Sequence, residues 1–237
     1  MRLLYAFGAT TVLLAVAGTG CGTSNNAGLI DASGIGGGTT PGIDASALDD
    51  AGGTPTGVPM TCPSPGNPVH NGGSCGTERW NIKTGTDSQA SSISLAPQPN
   101  TIAALVALPA ASGGAVRESP TEKTVWELKD VLLTELKLES DSDYHLVISD
   151  GHKTMIAEVP YMSCTSSSAW PCFMSRTRAE IDARYTVTTS PKYPAATVTL
   201  RGVGFFDYAH NQVGVAANAI ELHPILEICF GKSCTPS

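Results

Sequence analysis

The sequence predicts a mainly β domain with one helix, and three observations carry this prediction. Apolar and charged side chains alternate from Leu128 to Glu139, a period of two that is typical of a half-buried strand. The pair Asp150-Gly151 separates two further apolar runs, which indicates a β-hairpin. Pro171 opens a segment in which apolar residues recur at helical spacing up to about Tyr185.

The strands follow from the same patterns, taken in order. Residues 124–160 give three consecutive strands, and the third stops at Pro160, which lacks the amide donor that a ladder needs. A fourth strand is predicted over Ala196–Phe206, where two glycines indicate a bulge, and a fifth over Ile220–Phe230. The predicted helix therefore lies between the third strand and the fourth.

This order of strands and helix, β-β-β-α-β-β, resembles the OB-fold, a five-stranded and partly open Greek-key barrel. We expect an OB-like barrel over residues 124–237, preceded by an N-terminal extension over residues 61–123. Within that extension the apolar run Ile102–Leu108 is either a strand or a short helix, ended by Pro109. An unrelated small β-barrel or β-sandwich is the alternative fold.

The first 20 residues have the features of a secretory signal peptide. Arg2 precedes an apolar run, and small residues lead up to Cys21 in the sequence GTGC. The GTGC sequence resembles a bacterial lipoprotein processing site, and this resemblance implies that Cys21 becomes the lipidated first residue of the mature chain. Plain secretion with cleavage nearby is the alternative.

Residues 21–60 are predicted to be a disordered linker. Gly22–Met60 contains no Lys, no Arg and no aromatic residue, so it cannot bury enough apolar surface to offset the entropy of ordering. Together with the GTGC sequence, this linker predicts an exported protein held to the lipid bilayer by its N-terminus, in the periplasm or at the cell surface.

Six cysteines remain after Cys21, an even number that predicts disulfides in an exported chain. They are Cys62, Cys75, Cys164, Cys172, Cys229 and Cys234. Six cysteines allow about fifteen pairings, of which sequence proximity favours Cys62–Cys75, Cys164–Cys172 and Cys229–Cys234. A zinc–cysteine site is disfavoured because no CxxC spacing occurs.

Five stretches resemble a family of exported bacterial proteins that is itself uncharacterised. They are WNIKTGTD at 80–87, ESDSDYHLVISD at 139–150, TMIAEVP at 154–160, GVGFFD at 202–207 and IELHP at 220–224. The resemblance implies one exported domain, and it implies no activity.

Acidic and histidine residues suggest a metal site. By strand alternation Asp143 and His145 share one outward face, and Glu221 and His223 share another. Imidazole and carboxylate ligands suit a divalent transition metal such as zinc. The alternative is that these residues are solvated turn acids and surface histidines.

A second arrangement of acids resembles staphylococcal-nuclease-type OB enzymes, in which turn and strand-end carboxylates hold calcium beside a phosphate. The resemblance implies Asp141, Asp143 and Glu158 as ligands. That family also has an arginine on its third strand, whereas this chain offers only Lys153 there, a departure that argues against phosphodiester chemistry.

Two functions are compatible with these patterns. The first is an envelope lipoprotein whose barrel face binds a protein, a peptide or a glycan. The second is a metal-dependent hydrolase, which would be a nuclease-like phosphodiesterase if the acidic residues hold the metal. The net charge of −7 and the lack of a basic stripe disfavour nucleic acid as a partner. We expect the functional surface around the two acid–histidine pairs. The helix face with Arg176, Arg178 and Glu180 is instead explained by i,i+4 charge pairs, namely Arg176 with Glu180, Arg178 with Asp182 and Glu180 with Arg184.

Overall fold

The computed structural model describes Cys62 and residues 74–111, 113–208 and 212–236. The predicted signal peptide, the lipidation site Cys21 and the linker over residues 21–60 lie outside the described residues. None of the helices in the described ranges combines the length and the apolarity that crossing a membrane needs.

The helices and strands lie close to their predicted positions. In chain order they are α1 (Trp80–Lys83), β1 (Gln98–Asn100), α2 (Ile102–Val106), β2 (Val125–Leu138), β3 (Tyr144–Ser149), β4 (Thr154–Val159), α3 (Pro171–Asp182), β5 (Ala196–Phe206) and β6 (Ile220–Phe230). The apolar run after Thr101 is thus a helix, and the Thr101 side chain caps it by accepting a hydrogen bond from the amide of Ala104.

Five strands form a closed barrel with the order β2-β3-β4-β6-β5, and β5 pairs back with β2. The β4–β6 pair is parallel and the other barrel pairs are antiparallel. This is the connectivity of an OB-like barrel, with α3 between its third and fourth strands, and it confirms the predicted fold class. The short strand β1 adds a parallel partner beside the first half of β2.

The long strand β2 serves two neighbours because it bends. Its pairing register shifts against β5 after Leu128 and against β3 after Leu133, and Asp130 has a positive φ of 52°. A shift of one residue reverses the face that each following side chain occupies. Val131 and Leu133 therefore enter the core, and this apolar pair within the alternating pattern indicates a bent or two-sided region, as found. Leu132, expected on the same face as Leu128 and Leu136, is instead 38% exposed.

The predicted bulge in β5 is confirmed, since its register against β6 shifts around Gly202 and Gly204. A Cβ atom on Gly204 would collide with the carbonyl oxygen of Thr121, and one on Gly202 would press on that of Pro224. These two positions need glycine because other backbone approaches them closely.

The hairpin between β3 and β4 is also confirmed, but its turn is longer than a two-residue Asp-Gly turn. The loop is closed by the Asp150 carboxylate, which accepts hydrogen bonds from the amides of His152 and Lys153 at 2.9 and 2.8 Å. Within the loop from Asp150 to Lys153, only Gly151 has a positive φ, 92°.

The helix α3 buries more charge than its pattern predicted. Arg178 is buried: its guanidinium stacks 3.5 Å above the Tyr144 ring, and its Nη1 atom donates to the carbonyls of Ser142, Val159 and Pro160. Asp182 accepts a hydrogen bond from the Tyr144 hydroxyl at 2.7 Å. The predicted surface pair between Arg178 and Asp182 is therefore wrong, whereas the exposed pair of Glu180 with Arg184 is present at 2.9 Å.

The extension packs against the barrel and contributes Ala90, Ile93, Ile102 and Leu105 to its core. Two buried ion pairs join segments of the extension to one another. Arg79 contacts both carboxylate oxygens of Glu122 at 2.7 Å, and Arg117 lies 2.6 Å from Asp87.

All six cysteines form disulfides, as predicted, but two of the three predicted pairings are wrong. The bonds are Cys62–Cys172, Cys75–Cys164 and Cys229–Cys234. Sequence proximity favours the smallest loops, whereas the native pairs are decided by packing, which lays the extension beside the segment that leads into α3. The bonds Cys62–Cys172 and Cys75–Cys164 close longer loops than the predicted pairs would, and therefore restrict the unfolded chain more.

Candidate functional site

Three neighbouring strands place an acid and two histidines side by side on the outer face of the barrel. His145 in β3 pairs directly with Glu158 in β4. The parallel pairing of β4 with β6 aligns Ala157 with Leu222, which puts His223 beside Glu158. The side chain of Glu158 thus lies between two imidazoles.

This outer face is buried, because the extension covers it. Arg79 and Lys83 lie over the ring of Phe205, 4.7 and 5.2 Å from its centroid, and Phe205 in turn contacts the ring of His223. Both His145 and His223 are 0% exposed. The outward orientation of these histidines follows the prediction, but the interpretation of them as solvated surface residues is wrong.

The two oxygens of Glu158 face different imidazoles. Oε1 lies 2.6 Å from Nδ1 of His145, and Oε2 lies 3.2 Å from Nδ1 of His223. On the far side of His223, Oδ2 of Asp143 lies 3.5 Å from Nε2. On the His145 side, Oε1 of Glu139 lies 3.5 Å from Nδ1.

These contacts define two candidate metal sites among the described residues, each with ligand atoms within 4.8 Å of one another. We call the set Asp143, Glu158 and His223, which is entirely buried, the deep site. We call the set Glu139, His145 and Glu158 the rim site, since the Glu139 side chain is 25% exposed.

The structure gathers the residues that the sequence singled out, but it groups them differently. The two histidines fall in separate sets. Glu221 belongs to neither set, although its Oε2 lies 4.0 Å from Nδ1 of His223. Glu158, predicted only for the alternative acidic site, belongs to both. Asp141 of that acidic site lies next to the deep site, where its Oδ1 accepts a hydrogen bond from the Asp143 amide.

Several buried polar atoms in this cluster have no hydrogen-bond partner among the described residues. They are Oδ2 of Asp143, Oε2 of Glu221, Nε2 of His145 and both ring nitrogens of His223. Asp143 is held by its other oxygen, Oδ1, which accepts from the amide of Tyr161 at 2.8 Å. A buried polar atom without a partner costs about 1–3 kcal/mol, so this concentration of them indicates a site built for a ligand.

The electrostatics of the deep site suit a cation. Burial opposes the ionisation of Glu158, but the hydrogen bond from His145 and the charges around it lower the pKa of Glu158 to about 2. Burial lowers the pKa of His223 to about 4, so its imidazole is neutral at pH 7 and has a lone pair to offer. Burial and the charge of Glu158 raise the pKa of Asp143 well above its usual value, as expected for acids crowded without a counter-ion.

The sequence did not single out Lys83, which α1 brings to this cluster. Its Nζ lies 3.0 Å from Oδ2 of Asp207. Although burial opposes its charge, Asp207, Glu158 and Glu221 raise the pKa of Lys83. The only signal in the sequence is that Lys83 lies within the WNIKTGTD motif, and that motif does not indicate which residues Lys83 contacts.

A cavity of about 410 Å³ adjoins the cluster. Lys83, Trp80 and Asp141 line it, together with residues 74–78 and Ser140. Burial, with the charge of Asp143, raises the pKa of Asp141 to about 6, and Glu158 and His223 also act on this carboxyl. The cavity wall therefore lies within electrostatic reach of the deep site.

No protein-family model and no curated protein sequence matches the chain. Among solved structures it is similar to a crystal structure described as a "putative aspartyl-tRNA synthetase from Leishmania major Friedlin", with a TM-score of 0.37 and 12% sequence identity. The match covers 61% of this chain and 23% of that one, so the chain spans less than a quarter of the matched protein. A likeness at this level carries no argument about function.

Proposed function

We propose that this chain is an exported, membrane-anchored protein whose OB-like domain binds a divalent transition metal ion at the deep site. One observation carries the proposal: His223 is completely buried, and neither of its ring nitrogens has a hydrogen-bond partner in the part of the chain that the structure describes, although two carboxylates lie beside it. A metal ion would satisfy one nitrogen, and the other would donate to the remaining carboxylate, as metal-binding histidines usually do.

The spacing of the ligand atoms supports a small ion. With metal–ligand bonds of about 2.0–2.2 Å, the ligand atoms of a tetrahedral zinc site lie about 3.3–3.6 Å apart. Nε2 of His223 lies 3.5 Å from Asp143, which matches this spacing for an ion held by that nitrogen. Glu158 lies 3.2 Å from the opposite nitrogen, Nδ1, from which it would accept a hydrogen bond. An imidazole nitrogen among the ligands suits Zn²⁺ and related transition metals better than Mg²⁺ or Ca²⁺, which prefer oxygen ligands alone.

Export and anchoring rest on the N-terminal sequence. A lipid attached at Cys21 is supported by four features of the N-terminal sequence: Arg2, the apolar run, the GTGC sequence and the linker without basic residues. Three disulfides in a domain of this size are typical of an oxidising compartment.

The covered face weighs against a protein, peptide or glycan ligand at the position first expected for it. OB-like barrels bind such ligands across their second and third strands, which are β3 and β4 here, and their outward histidine and acid are buried. A metal ion is small enough for this site, whereas a macromolecule would need a different surface of the domain.

Metal-dependent hydrolysis of a small substrate is a second candidate. The cavity of about 410 Å³ with Lys83 and Asp141 in its wall favours it, because a substrate there would lie beside both the ion and a lysine. A nuclease-like reaction is less well supported, since β4 carries no arginine and Arg178 is bound to three backbone carbonyls.

The test uses the full chain with Cys21→Ser, purified without chelator, and measures its metal content and its melting temperature with and without EDTA. We expect bound zinc or a similar metal, and a fall in melting temperature on chelation that zinc reverses. His223→Asn should abolish both effects, whereas the matched control His152→Asn, an exposed histidine in the β3–β4 turn, should keep them. Metal-free protein that does not respond to added zinc or to EDTA would refute the proposal.

A further inference from the structure

We infer that α3 positions the residues of the deep site, through the neighbouring side chains of Arg178 and Thr177. This inference rests on the proposed function, since it takes an ion at the deep site as given. It adds two positioning residues, which act on the backbone beside the ligands rather than on the ion itself.

The hydrogen bonds of Arg178 are the first argument. Its Nη1 atom donates to the carbonyl of Ser142 at 3.2 Å, and Ser142 directly precedes Asp143. The same atom donates to the carbonyl of Val159 at 3.0 Å, and Val159 directly follows Glu158. One nitrogen of the guanidinium therefore joins the loop that carries Asp143 to the end of the strand that carries Glu158.

The packing of the guanidinium is the second argument. It lies 3.5 Å from the ring centre of Tyr144, the residue after Asp143, and 5.8 Å from that of Tyr161. The amide of Tyr161 in turn donates to Oδ1 of Asp143 at 2.8 Å, which leaves Oδ2 facing Nε2 of His223. Arg178 thus packs against two residues whose main chain sets the position of this carboxylate.

The third argument is that the same turn of α3 holds the strand that carries His223. The hydroxyl of Thr177 donates to the carbonyl of Leu226 at 2.7 Å, three residues after His223 in β6. Thr177 and Arg178 are both buried. Two neighbouring side chains of one helix therefore connect all three segments that form the deep site.

Arginine suits this role better than lysine does. A guanidinium is planar, so it stacks on an aromatic ring while its donors point in fixed directions, whereas a lysine ammonium is a point charge on a flexible stem. Arg178→Lys therefore keeps the charge but loses the flat contact with Tyr144 that aims Nη1 at the carbonyls. Loss of groups that orient metal ligands typically lowers metal affinity about 10- to 100-fold, and we expect an effect of this size.

The experiment uses the full chain with Cys21→Ser as the parent protein. It measures zinc affinity by competition with a chromophoric chelator, and the absorption bands of bound Co²⁺, which report the geometry of the ligands. We expect Arg178→Lys to weaken zinc binding about 10- to 100-fold and to change the Co²⁺ bands. Arg117→Lys is the matched control and should change neither, because Arg117 is likewise buried but donates to the carbonyls of Ile82 and Glu122.

The outcomes separate this inference from the proposed function. A parent protein that takes up no zinc would refute both. A parent that binds zinc, with unchanged affinity and Co²⁺ bands in Arg178→Lys, would refute the positioning role alone. Equal weakening in Arg178→Lys and Arg117→Lys would also refute it, because a general loss of stability would then explain both results.

Melting temperatures of the metal-free variants show whether each is folded. If Arg178→Lys does not fold, Thr177→Val decides the inference, since it removes only the hydroxyl that holds β6 and keeps the branched shape of the side chain. We expect weaker zinc binding and altered Co²⁺ bands in this variant as well. Parent-like values of both would refute the positioning role of α3.

Discussion

Arg201 illustrates at the scale of one residue how an ion pair makes the stability of the domain depend on pH. Its guanidinium lies between two carboxylates, 2.8 Å from Glu127 and 2.7 Å from Glu227. Burial acts to raise the pKa of Glu127, but the hydrogen bonds from Arg201 and Lys129 outweigh it and lower this pKa below its usual value of 4.5. The folded protein therefore holds the Glu127 proton less tightly than the unfolded chain does.

A carboxyl group with a lowered pKa stabilises the folded state above its unfolded-state pKa, and this contribution is lost as the pH falls through the folded-state value. We expect the free energy of unfolding to fall less steeply below about pH 4.5 in Glu127→Gln than in the unchanged protein. Urea denaturation at a series of pH values above and below this point measures the free energy of unfolding. Glu180→Gln, whose carboxylate is exposed, should reproduce the unchanged curve, and parallel curves for all three proteins would contradict the prediction.

Among the elements of the fold, the extension depends on the buried pair of Arg79 and Glu122. Both oxygens of Glu122 contact Arg79, and they also accept hydrogen bonds from the amides of Phe206 and Glu118 at 2.7 Å. Glu122→Gln would leave the guanidinium of Arg79, whose side chain is 4% exposed, without its counter-ion.

Breaking a buried ion pair by removing one partner costs about 3–5 kcal/mol. We expect Glu122→Gln to lower the free energy of unfolding by about this amount, as measured by chemical denaturation. Glu118→Gln, a half-buried acid four residues earlier, is the control and should change it by less than about 0.5 kcal/mol. Equal stability of the two variants would show that the pair does not hold the extension.

The elements themselves could be predicted from periodicity, because each is decided by local spacing. The alternation in β3 and the proline at the start of α3 are local signals, and both elements form where expected. The pair Val131 and Leu133 indicates a bend in β2, but the two register shifts depend on pairing with β3 and β5 at once, so the exposure of Leu132 does not follow from its neighbours in sequence. The burial of Arg178 depends likewise on carbonyls that β3 and β4 bring to it.

At the scale of the whole molecule, the sequence singled out Asp143, Glu158 and His223 as candidate ligands but did not predict that they lie together. Alternation placed His145 and His223 on outward faces, but only the order of strands in the barrel shows that Glu158 lies between them. The contribution of Lys83, which lies 75 positions before Glu158 in the sequence, requires the extension to fold back. Such contacts between distant segments carry no signal in a single sequence.

Attachment to a membrane is also a property of the whole chain. If Cys21 carries a lipid, Cys21→Ser should move the protein from the membrane fraction to the soluble fraction. Without acyl chains, the N-terminal segment lacks the apolar area that holds the protein to the bilayer. Fractionation and immunoblotting of both forms measure this. Ser24→Ala, a change three residues later in the linker, should leave the protein with the membrane; a Cys21→Ser protein that stays with the membrane would disprove lipid attachment at this cysteine.

The nested disulfides have a consequence for the order in which the chain is made. Cys62 and Cys75 leave the ribosome long before their partners. Cys172 lies 110 positions after Cys62, and Cys164 lies 89 positions after Cys75. An oxidant that joins cysteines as they emerge would link Cys62 to Cys75, which is a non-native bond. The native pattern therefore requires either that the first two thiols stay reduced until α3 has arrived, or that a thiol–disulfide exchange catalyst later rearranges the bond. If the second route operates, production in a host that lacks such a catalyst should yield chiefly the mispaired form, whereas the first route would yield the native pairs there.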